Sequence, residues 1–327
     1  MKVGITYDLR QDYLDEGYSL EETAEFDKLD TINGIDNALK ELGYETERIG
    51  NVKSLIKKVA DGQKWDIVFN IAEGMYGIAR EAQIPSILDA YQIPYTFSDA
   101  FMLNICLHKG ITKSLVKSLG LNTPDYYVLD KEENIKNIDL PFPLFAKPVA
   151  EGTGKGINAL SKIKTQEELE KICKNLLTTY KQPVLIETFL PGREFTVGIV
   201  GTGKESKALA VMEIILNEKA EQDVYSYNNK ENYEDLVSYT IVEGEVAEKC
   251  KKLALDSWAG LNLRDGGRID IRFDQNNEPA FIEVNPLAGL NYQTSDLPIM
   301  CSKVGISFTQ LIDMIMKSAL QRLNNGK

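Results

Sequence analysis

The chain has little of the chemistry on which many metalloproteins and covalent catalysts depend. Its 327 residues include one histidine, His108, and four cysteines. A histidine-rich zinc site is excluded by this count, and nothing near His108 resembles a nucleophile elbow. No CxxC pair occurs, which is typical of idle thiols in a reducing cytosol. The cysteines are Cys106, Cys173, Cys250 and Cys301.

Long apolar runs and excess positive charge are also missing. No stretch of about 18 apolar residues occurs, and the N-terminal segment Met1–Tyr7 is predicted to be a strand rather than a signal peptide. The 37 basic residues are outnumbered by 49 acidic ones, and the net charge of −12 argues against non-specific nucleic-acid binding. We therefore expect a cytoplasmic protein without a nucleic-acid or membrane partner.

Strand and helix signals alternate in the first part of the chain. A strand at Lys2–Tyr7, a helix at Leu29–Leu42 and a buried strand at Trp65–Asn70 predict βαβ units and a parallel sheet. One helix is expected from about Ala100 to Leu119. From Arg193 onward strands dominate. The length of 327 residues predicts two or three domains.

One predicted hairpin concentrates polar residues on a single face. Its first strand is Gly267–Phe273, and a turn-rich run separates it from the second. Because side chains alternate along a strand, an antiparallel hairpin puts Asp270 opposite Glu283. In the same register Arg268 lies opposite Asn285. The other face is expected to hold apolar residues, namely Ile269, Ile271, Ile282 and Val284.

The polar face of this hairpin suits a metal ion that carries a nucleotide phosphate. Two carboxylates and an amide oxygen are hard ligands, and Mg²⁺ usually takes one or two carboxylates plus phosphate oxygens and waters. The alternative is a solvated face of an ordinary hairpin. The apolar loop Pro286–Leu290 favours a ligand site, since its glycine lets the backbone approach a ligand closely.

A glycine-rich loop, Glu151–Gly156, follows a predicted strand that ends in Lys147. Its backbone N–H groups could wrap phosphate oxygens, although the spacing matches neither the P-loop nor GxGxxG, and a flexible turn is the alternative. A lysine at the end of an apolar run is a suitable phosphate partner. Lys109 and Lys113 are expected by default to face solvent.

The segment Val184–Val197 predicts a strand, a break at Pro191-Gly192 and a second strand. In a nucleotide enzyme, backbone groups beside such a break could read an adenine edge. The Glu194 carboxylate could then accept hydrogen bonds from ribose hydroxyls. The alternative interpretation is a plain crossover between domains.

Taken together, these motifs resemble those of an ATP-grasp carboxylate–amine ligase, and within that superfamily the sequence is similar to D-alanine–D-alanine ligases. The similarity spans nearly the whole chain, and the motifs occur in the family's order. They are Val68–Asn70 with Glu73-Gly74, Ile93–Thr96, His108–Lys113, Gly120–Pro124, Lys147-Pro148, Glu151–Thr153, Ile186-Glu187, Gly192–Val197, Arg268–Asp270, Glu283–Asn285 and Gly305–Phe308.

The resemblance implies an α/β fold, α+β in the C-terminal part, with a three-domain ATP-grasp architecture. The implied domains are an N-terminal parallel-sheet preATP-grasp domain (1–98), a central ATP-grasp subdomain (99–190) and a C-terminal subdomain with the metal site (191–327). ATP would lie between the second and third domains with two Mg²⁺ ions, for which Mn²⁺ is an alternative. Small amino acids would be the substrates, and a homodimer is common in the similar family.

The resemblance also implies roles for individual residues. Arg268, with the backbone around Gly289, would stabilise the oxyanion of a tetrahedral intermediate, and Lys230 would reach the phosphates from a mobile loop. The metal ligands would be Asp270, Glu283 and Asn285. The nucleotide would contact Lys109, Lys147, Glu151, Thr153, Glu187, Thr188, Phe189, Leu190, Glu194 and Lys230.

Residues near the amino-acid substrates depart from the family's pattern. Glu25 is the nearest candidate to bind the first substrate's ammonium group, with Asp27 as a rival. Glu73 stands where the family has a histidine, and Glu231 where it has a tyrosine, so an additional ammonium group could bind there. Ser295 is a candidate for binding a substrate carboxylate.

In the implied reaction, a substrate carboxylate attacks the γ-phosphate of ATP and becomes an acyl phosphate. An amine then attacks the acyl carbon, phosphate leaves and an amide forms. No protein nucleophile is needed, which agrees with the scarcity of histidine and cysteine. The leading hypothesis is formation of a D-alanine dipeptide for peptidoglycan of the cell wall. Ligation of another amino-acid or peptide pair is the second, and a non-catalytic nucleotide-binding scaffold is the third.

Overall fold

A three-stranded parallel sheet lies in the N-terminal part, as the βαβ pattern predicts. The computed structural model describes residues 1–221, 224, 226, 229 and 233–324. The sheet contains β1 (Lys2–Thr6), β2 (Glu45–Gly50) and β3 (Ile67–Asn70), accompanied by α1 (Arg10–Asp15), α2 (Leu29–Glu41), α3 (Val52–Ala60) and α4 (Gln83–Ala90). The strand order is β2–β1–β3, and every residue of β3 is buried, as its continuous apolar run requires.

Two helices replace the single helix predicted from Ala100 to Leu119. They are α5 (Ala100–Leu107) and α6 (Lys109–Ser118). His108 breaks the helix with a ψ angle of 88°, and its imidazole Nδ1 accepts a hydrogen bond from the N–H of Ile111. The single-helix prediction was wrong because the apolar spacing continues through a residue that ends one helix and caps the next. The break places Lys109 in the first turn of α6.

A four-stranded antiparallel sheet follows. It contains β4 (Tyr126–Leu129), β5 (Leu144–Pro148), β6 (Lys162–Ile163) and β7 (Val184–Thr188), in the order β4–β7–β5–β6, with α7 (Gln166–Tyr180) packed against it. Thr165 caps α7 by accepting a hydrogen bond from the N–H of Glu168. Apolar residues of α7, such as Leu169 and Cys173, are buried in the same core as Ile186 of β7.

A five-stranded antiparallel sheet lies in the C-terminal part of the chain. Its strands are β8 (Glu194–Val200), β9 (Lys207–Leu216), β10 (Val237–Ile241), β11 (Gly266–Phe273) and β12 (Pro279–Asn285), in the order β10–β9–β8–β11–β12. The helices of this region are α8 (Tyr233–Leu236), α9 (Glu245–Gly260), α10 (Asp296–Lys303) and α11 (Phe308–Asn324). Trp258 of α9 is fully buried beneath this sheet, in one core with Phe195 and Ile269.

The two ends of the chain share a core. Leu311 and Ile315 of α11 are fully buried in one cluster with Val3 and Ile5 of β1 and Ile35 of α2. The last helix therefore returns to the first sheet, and this contact holds the two ends of the chain together. The predicted domain boundaries after residues 98 and 190 remain predictions.

No single helix in the described part of the chain is long and apolar enough to cross a membrane. Helices α10 and α11 meet the length and composition criteria only as a pair, and the chain bends by 112° between them.

Candidate functional site

Every predicted site residue that the structure describes lines one of two adjoining pockets. The first pocket lies between the four-stranded and five-stranded sheets and has a volume of about 780 Å³, including its open mouth. Lys230 and Glu231 lie outside the described residues, so their predicted roles stay predictions. The predicted residues in the first pocket are Lys109, Lys147, Glu151, Glu187, Thr188, Phe189, Leu190, Glu194, Asp270 and Glu283.

The hairpin β11–β12 has the register that alternation predicts. Asp270 pairs with Glu283, and Arg268 pairs with Asn285. The side-chain amide of Asn285 donates a hydrogen bond to Asp270 Oδ2 at 3.1 Å. The three predicted metal ligands are therefore neighbours, with Asp270 and Glu283 lining the first pocket and Asn285 lining the second.

The apolar face of the same hairpin differs from the prediction. The register shifts after Asp270, so Ile271 pairs with Phe281 and Ile282 is left over as a bulge. Phe281 is fully buried in the core, whereas Ile282 is half-buried and lines the first pocket. The prediction that Ile282 lies in the core was wrong, because an inserted residue reverses the alternation that follows it.

Lys109 is held in the cleft, and its expected solvent exposure was wrong. Only 8% of the residue is exposed, and its ammonium group donates a hydrogen bond to the backbone oxygen of Glu151 at 2.6 Å. Its Nζ lies 3.7 Å from Glu283 Oε2. Lys147, from the opposite sheet, lies 3.5 Å from the same oxygen. Two lysines from different elements thus converge on one predicted metal ligand.

Glu187 joins two buried lysines. Its carboxylate lies 2.8 Å from the ammonium of Lys113 and 3.3 Å from that of Lys147. Burial raises the pKa of Glu187, but the two lysines outweigh burial and hold that pKa below its usual value. Lys113 was also expected to face solvent, yet it is fully buried and bonds the hydroxyl of Thr123. It supports the pocket from behind without lining it.

Of the two lysines that pair with Glu187, Lys147 is the one that lines the first pocket. Burial lowers the pKa of Lys147, but Glu187 and Glu283 together raise that pKa above its usual value. Burial dominates at Lys113 and lowers its pKa, against the opposing effect of Glu187. Lys147 is therefore a firmly charged group at the wall of the first pocket.

Arg272 is a pocket residue that the sequence argument missed. It lies opposite Glu194 on neighbouring strands, with an N–O distance of 3.3 Å. Its guanidinium also lies 4.9 Å from the ring centre of Phe189. Alternation along β11 could have found it, because Arg272 shares the face of Arg268 and Asp270. The aromatic and charged groups at this end of the pocket suit the base and ribose of a nucleotide.

The second pocket adjoins the first and shares Lys109 and Glu151 with it. Its volume is about 1370 Å³, including its open mouth. The remaining predicted site residues line this pocket, namely Glu25, Thr153, Arg268, Asn285 and Gly289. The candidates Asp27, Glu73 and Ser295 line it as well.

Arg268 lies between two carboxylates in the second pocket. Its guanidinium donates a short hydrogen bond to Asp296 and lies 3.4 Å from Asp270. The loop beside it packs closely on Ser295, since a Cβ at Gly289 would lie 2.8 Å from Ser295 Oγ. Asp296 was not singled out from the sequence, since nothing local reveals that α10 begins against β11.

The glycine-rich loop folds back over the junction of the pockets. Thr153 and Gly154 have φ angles of 52° and 72°, in the left-handed region. Lys155 pairs with Glu151 at 2.7 Å. A Cβ at Gly156 would lie 2.5 Å from Pro148, so this close approach requires glycine. Thr153 faces the second pocket, and its predicted nucleotide contact stays a prediction.

Glu25, the predicted ammonium ligand, already has protein partners. Its carboxylate lies 2.7 Å from Arg80 and accepts a hydrogen bond from the N–H of Gly152 at 2.7 Å. Lys155 lies 3.6 Å away. Burial raises the pKa of Glu25, but Arg80 and Lys155 more than offset it and lower that pKa to about 2. Arg80 escaped the sequence argument, because no motif marks it.

Other carboxylates of the second pocket have the opposite electrostatic environment. Burial, then the nearby Glu81 and Glu25 carboxylates, raise the pKa of Glu73 well above its usual value. Burial raises the pKa of Glu81 to about 7, although Arg80 opposes the shift. The pKa of Asp27 rises to about 8, again chiefly through burial. The second pocket is therefore lined by three carboxyl groups with raised pKa values.

The donor set Asp270, Glu283 and Asn285 fits Mg²⁺ by its chemistry. Within the residues that the structure describes, no group of three or more His, Cys, Asp or Glu side chains could hold a metal ion. A site here would rest on two carboxylates, an amide oxygen and phosphate oxygens, which is the usual arrangement for Mg²⁺. Lys109 and Lys147, close to Glu283, add positive charge beside it.

Related sequences match most of the chain. A family model described as D-ala D-ala ligase C-terminus matches residues 115–317. A D-alanine–D-alanine ligase of Aquifex aeolicus is 33% identical over 290 residues, covering 88% of this chain and 94% of the relative. One from Thermotoga sp. strain RQ2 is 31% identical over 285 residues, covering 87% and 90%.

Solved structures share the fold. A D-alanine–D-alanine ligase from Bacillus anthracis complexed with ATP has a TM-score of 0.74 at 23% identity and covers 100% of both chains. The VanG D-Ala:D-Ser ligase from Enterococcus faecalis has a TM-score of 0.74 at 20% identity and covers 97% of this chain and 99% of its own. The predicted ATP-grasp fold and ligase family are confirmed. The chain belongs to the D-alanine–D-alanine ligase family.

Proposed function

We propose that the protein joins two small amino acids through an acyl phosphate formed with ATP, and that D-alanine is the first candidate for both. The observation that carries the proposal is the junction of the two pockets. Lys109 and Glu151 line both, so a phosphate in the first pocket and a carboxylate in the second can meet there. The D-alanine–D-alanine ligases that match the chain support the choice of substrate.

ATP occupies the first pocket in this proposal. Its phosphates lie near Lys109 and Lys147. Lys230, which is not among the described residues, is the third predicted phosphate contact. The base lies beside Thr188–Leu190 and the ribose beside Glu194. The apolar lining and the Arg272–Phe189 contact support this orientation.

Two Mg²⁺ ions would be held by Asp270, Glu283 and Asn285. Bound there, they would neutralise charge on the transferring phosphoryl group. The chain's own contribution is positioning: Lys109 and Lys147 fix the phosphate end, and Arg268 is aimed into the second pocket by Asp296. Charge stabilisation of this kind is the main form of catalysis available to phosphoryl transfer.

The reaction then proceeds in two steps. A carboxylate oxygen of the first amino acid attacks the γ-phosphorus, and the bond to ADP breaks. The neutral amine of the second amino acid attacks the acyl carbon, phosphate leaves with its electron pair, and an amide forms. Arg268 and the backbone near Gly289 stabilise the oxyanion between these events.

The proposal includes the predicted architecture. Domains at 1–98, 99–190 and 191–327 would allow the nucleotide cleft to open and close, and a homodimer is the proposed assembly. Support for movement about the cleft comes from its walls, which belong to two separate sheets.

A second candidate is the same chemistry on a different amino-acid pair. The observation that favours it is the set of acidic side chains with raised pKa values in the second pocket, chiefly Glu73 and Glu81. Such side chains could bind an ammonium group in addition to the α-ammonium groups of a simple amino-acid pair.

Phosphate release tests the proposal. The purified protein is given ATP, Mg²⁺ and a panel of D- and L-amino acids, singly and in pairs, and the product is identified by mass spectrometry. We expect release above the ATP-only rate with D-alanine, and the dipeptide as product. Activity with another pair alone would favour the second candidate. Silence across the panel, despite measurable ATP binding, would contradict ligation.

A further inference from the structure

Two acidic side chains of the second pocket make no hydrogen bond or ion pair with the part of the chain that the structure describes. Glu73 follows β3, and Glu81 lies just before α4. Glu81 is only 9% exposed, so water cannot fully solvate it. Buried carboxylates normally have a partner, and two such groups at one cavity wall point to a missing cation.

Three cations near these carboxylates make hydrogen bonds with other groups. Arg80 donates to the backbone oxygen of Ala150 at 2.8 Å and to Glu25 at 2.7 Å. Lys109 donates to the backbone oxygen of Glu151. Arg10 donates a short hydrogen bond to the backbone oxygen of Ala24. None of these cations makes an ion pair with Glu73 or Glu81.

Glu25 is unsuited to receive a ligand cation in this arrangement. Its carboxylate binds Arg80 and the N–H of Gly152, with Lys155 nearby. A Cβ at Gly152 would lie 3.2 Å from Glu25 Oε1, so the loop packs directly on this carboxylate. An added ammonium would have to share this carboxylate with a buried guanidinium.

We propose that Glu73 and Glu81 together form the subsite for an ammonium group of an amino-acid substrate, and that Glu25 serves to hold the glycine-rich loop instead. The proposal rests on the ligase function above. An ammonium placed between the two carboxylates satisfies both, and it removes the repulsion between them. Its charge-assisted hydrogen bonds would be strong because water is largely excluded.

Two kinds of substrate supply this chemistry. The ammonium is either the α-ammonium of a simple amino acid or a second ammonium on the side chain of a diamino acid. The open volume of about 1370 Å³ accommodates either. The probes are therefore D-alanine and D-2,3-diaminopropionate, with D-lactate, in which a hydroxyl replaces the ammonium, as the uncharged reference.

Binding calorimetry with ADP and Mg²⁺ present tests the subsite without requiring turnover. We expect Glu81→Gln and Glu73→Gln each to weaken binding of an ammonium probe by about tenfold or more. Neither change should alter the affinity for D-lactate. Loss of affinity for both D-alanine and diaminopropionate assigns the α-ammonium, and loss for diaminopropionate alone assigns the side chain.

Controls separate a specific role from a folding defect. Glu16→Gln removes an exposed carboxylate and should leave all affinities unchanged. The affinity for ADP should also be unchanged in every variant. Circular dichroism checks that each variant folds. If Glu81→Gln does not fold, Glu73→Gln still tests the subsite.

Equal losses for D-alanine and D-lactate would overturn the subsite, and so would unchanged affinity for both ammonium probes. Failure of every ammonium probe to bind the wild-type protein would overturn it too. Failure of phosphate release alone, with probe binding intact and lost in the variants, would contradict the proposed ligation while leaving the subsite supported.

Discussion

Lys113 and Lys147 are both buried against the carboxylate of Glu187, but only Lys147 reaches the first pocket. A buried charge is tolerated where its partner is fixed, and removing one partner leaves the other uncompensated. Lys113 therefore has a structural role, because it fixes Glu187, which in turn fixes Lys147. The motif around His108 hinted at this lysine, but a single sequence does not distinguish a buried lysine from an exposed one.

We expect Lys113→Met to lower the free energy of unfolding by about 1–3 kcal/mol, because Glu187 keeps Lys147 as an ion-pair partner but loses the closer ammonium group of Lys113. Lys117→Met is the matched control on the same helix, since Lys117 pairs with Asp125 in solvent and should contribute little. Urea unfolding measures both. Equal, small effects would show that Lys113 does not hold the carboxylate.

Glu283 has a different role, and Glu283→Gln should reduce Mg²⁺-dependent turnover at least about 100-fold while the unfolding midpoint shifts little. The amide keeps the shape of the side chain but loses the charge that attracts a cation. Glu278→Gln, in the turn of the same hairpin, is the control, because Glu278 is exposed. Parallel loss of turnover and stability in Glu283→Gln would remove the metal role.

Binding of an ammonium substrate should depend on pH through Glu81, whose pKa is raised by burial to about 7. The ionised carboxylate exists above that pKa and attracts the ammonium, so KM should fall as pH rises from about 6 to 8. Glu73 and Glu25 add negative charge around it, whereas Arg80 and Lys109 oppose the shift. A KM that rises over this range, or a profile that Glu81→Gln leaves intact, contradicts this account.

At the scale of elements, the hairpin β11–β12 shows how far alternation leads. It predicted the opposition of Asp270 and Glu283, because a period of two fixes which residues share a face. It failed at Ile282, the residue directly before Glu283 in β12, where the bulge turns Ile282 toward the first pocket and Phe281 into the core. A bulge arises from packing against distant elements, so local sequence does not announce it.

The same limit applies to the pocket walls that come from separate elements. The break at His108, which places Lys109 in the cleft, depends on a side-chain cap rather than on apolar spacing. Arg80 and Asp296 matter because of what they meet in space, namely Glu25 and Arg268. Most of the motif residues predicted to contact the nucleotide line the first pocket, whereas Arg80 and Asp296 could be found only through tertiary contacts.

The bulge makes a testable distinction between neighbouring residues. Phe281→Ala should lower the free energy of unfolding by about 3–5 kcal/mol, because it opens a cavity in a packed core. Ile282→Ala should affect stability far less and should instead raise KM for ATP, since Ile282 lines the first pocket. Urea unfolding and ATP-dependent kinetics measure the pair. Reversed effects would place Ile282 in the core after all.

At the scale of the whole molecule, three sheets surround two pockets that meet beside one hairpin. The last helix, α11, packs on the first sheet, and the second pocket is lined by residues of the N-terminal part together with the loop that follows β12. The first pocket lies between the four-stranded and five-stranded sheets. Under the proposed function, a phosphate donor and a carboxylate would meet at Lys109 and Glu151, which line both pockets, and no nucleophilic side chain would be required.

Transfer of oxygen from substrate to phosphate tests this account most directly. The carboxylate-donor amino acid is labelled with ¹⁸O in its carboxylate, and the inorganic phosphate released with ATP and Mg²⁺ is analysed by mass spectrometry. An acyl phosphate intermediate predicts one ¹⁸O atom in each phosphate released during ligation, because the oxygen that attacks phosphorus leaves with it. Amide formation accompanied by unlabelled phosphate would contradict the central claim.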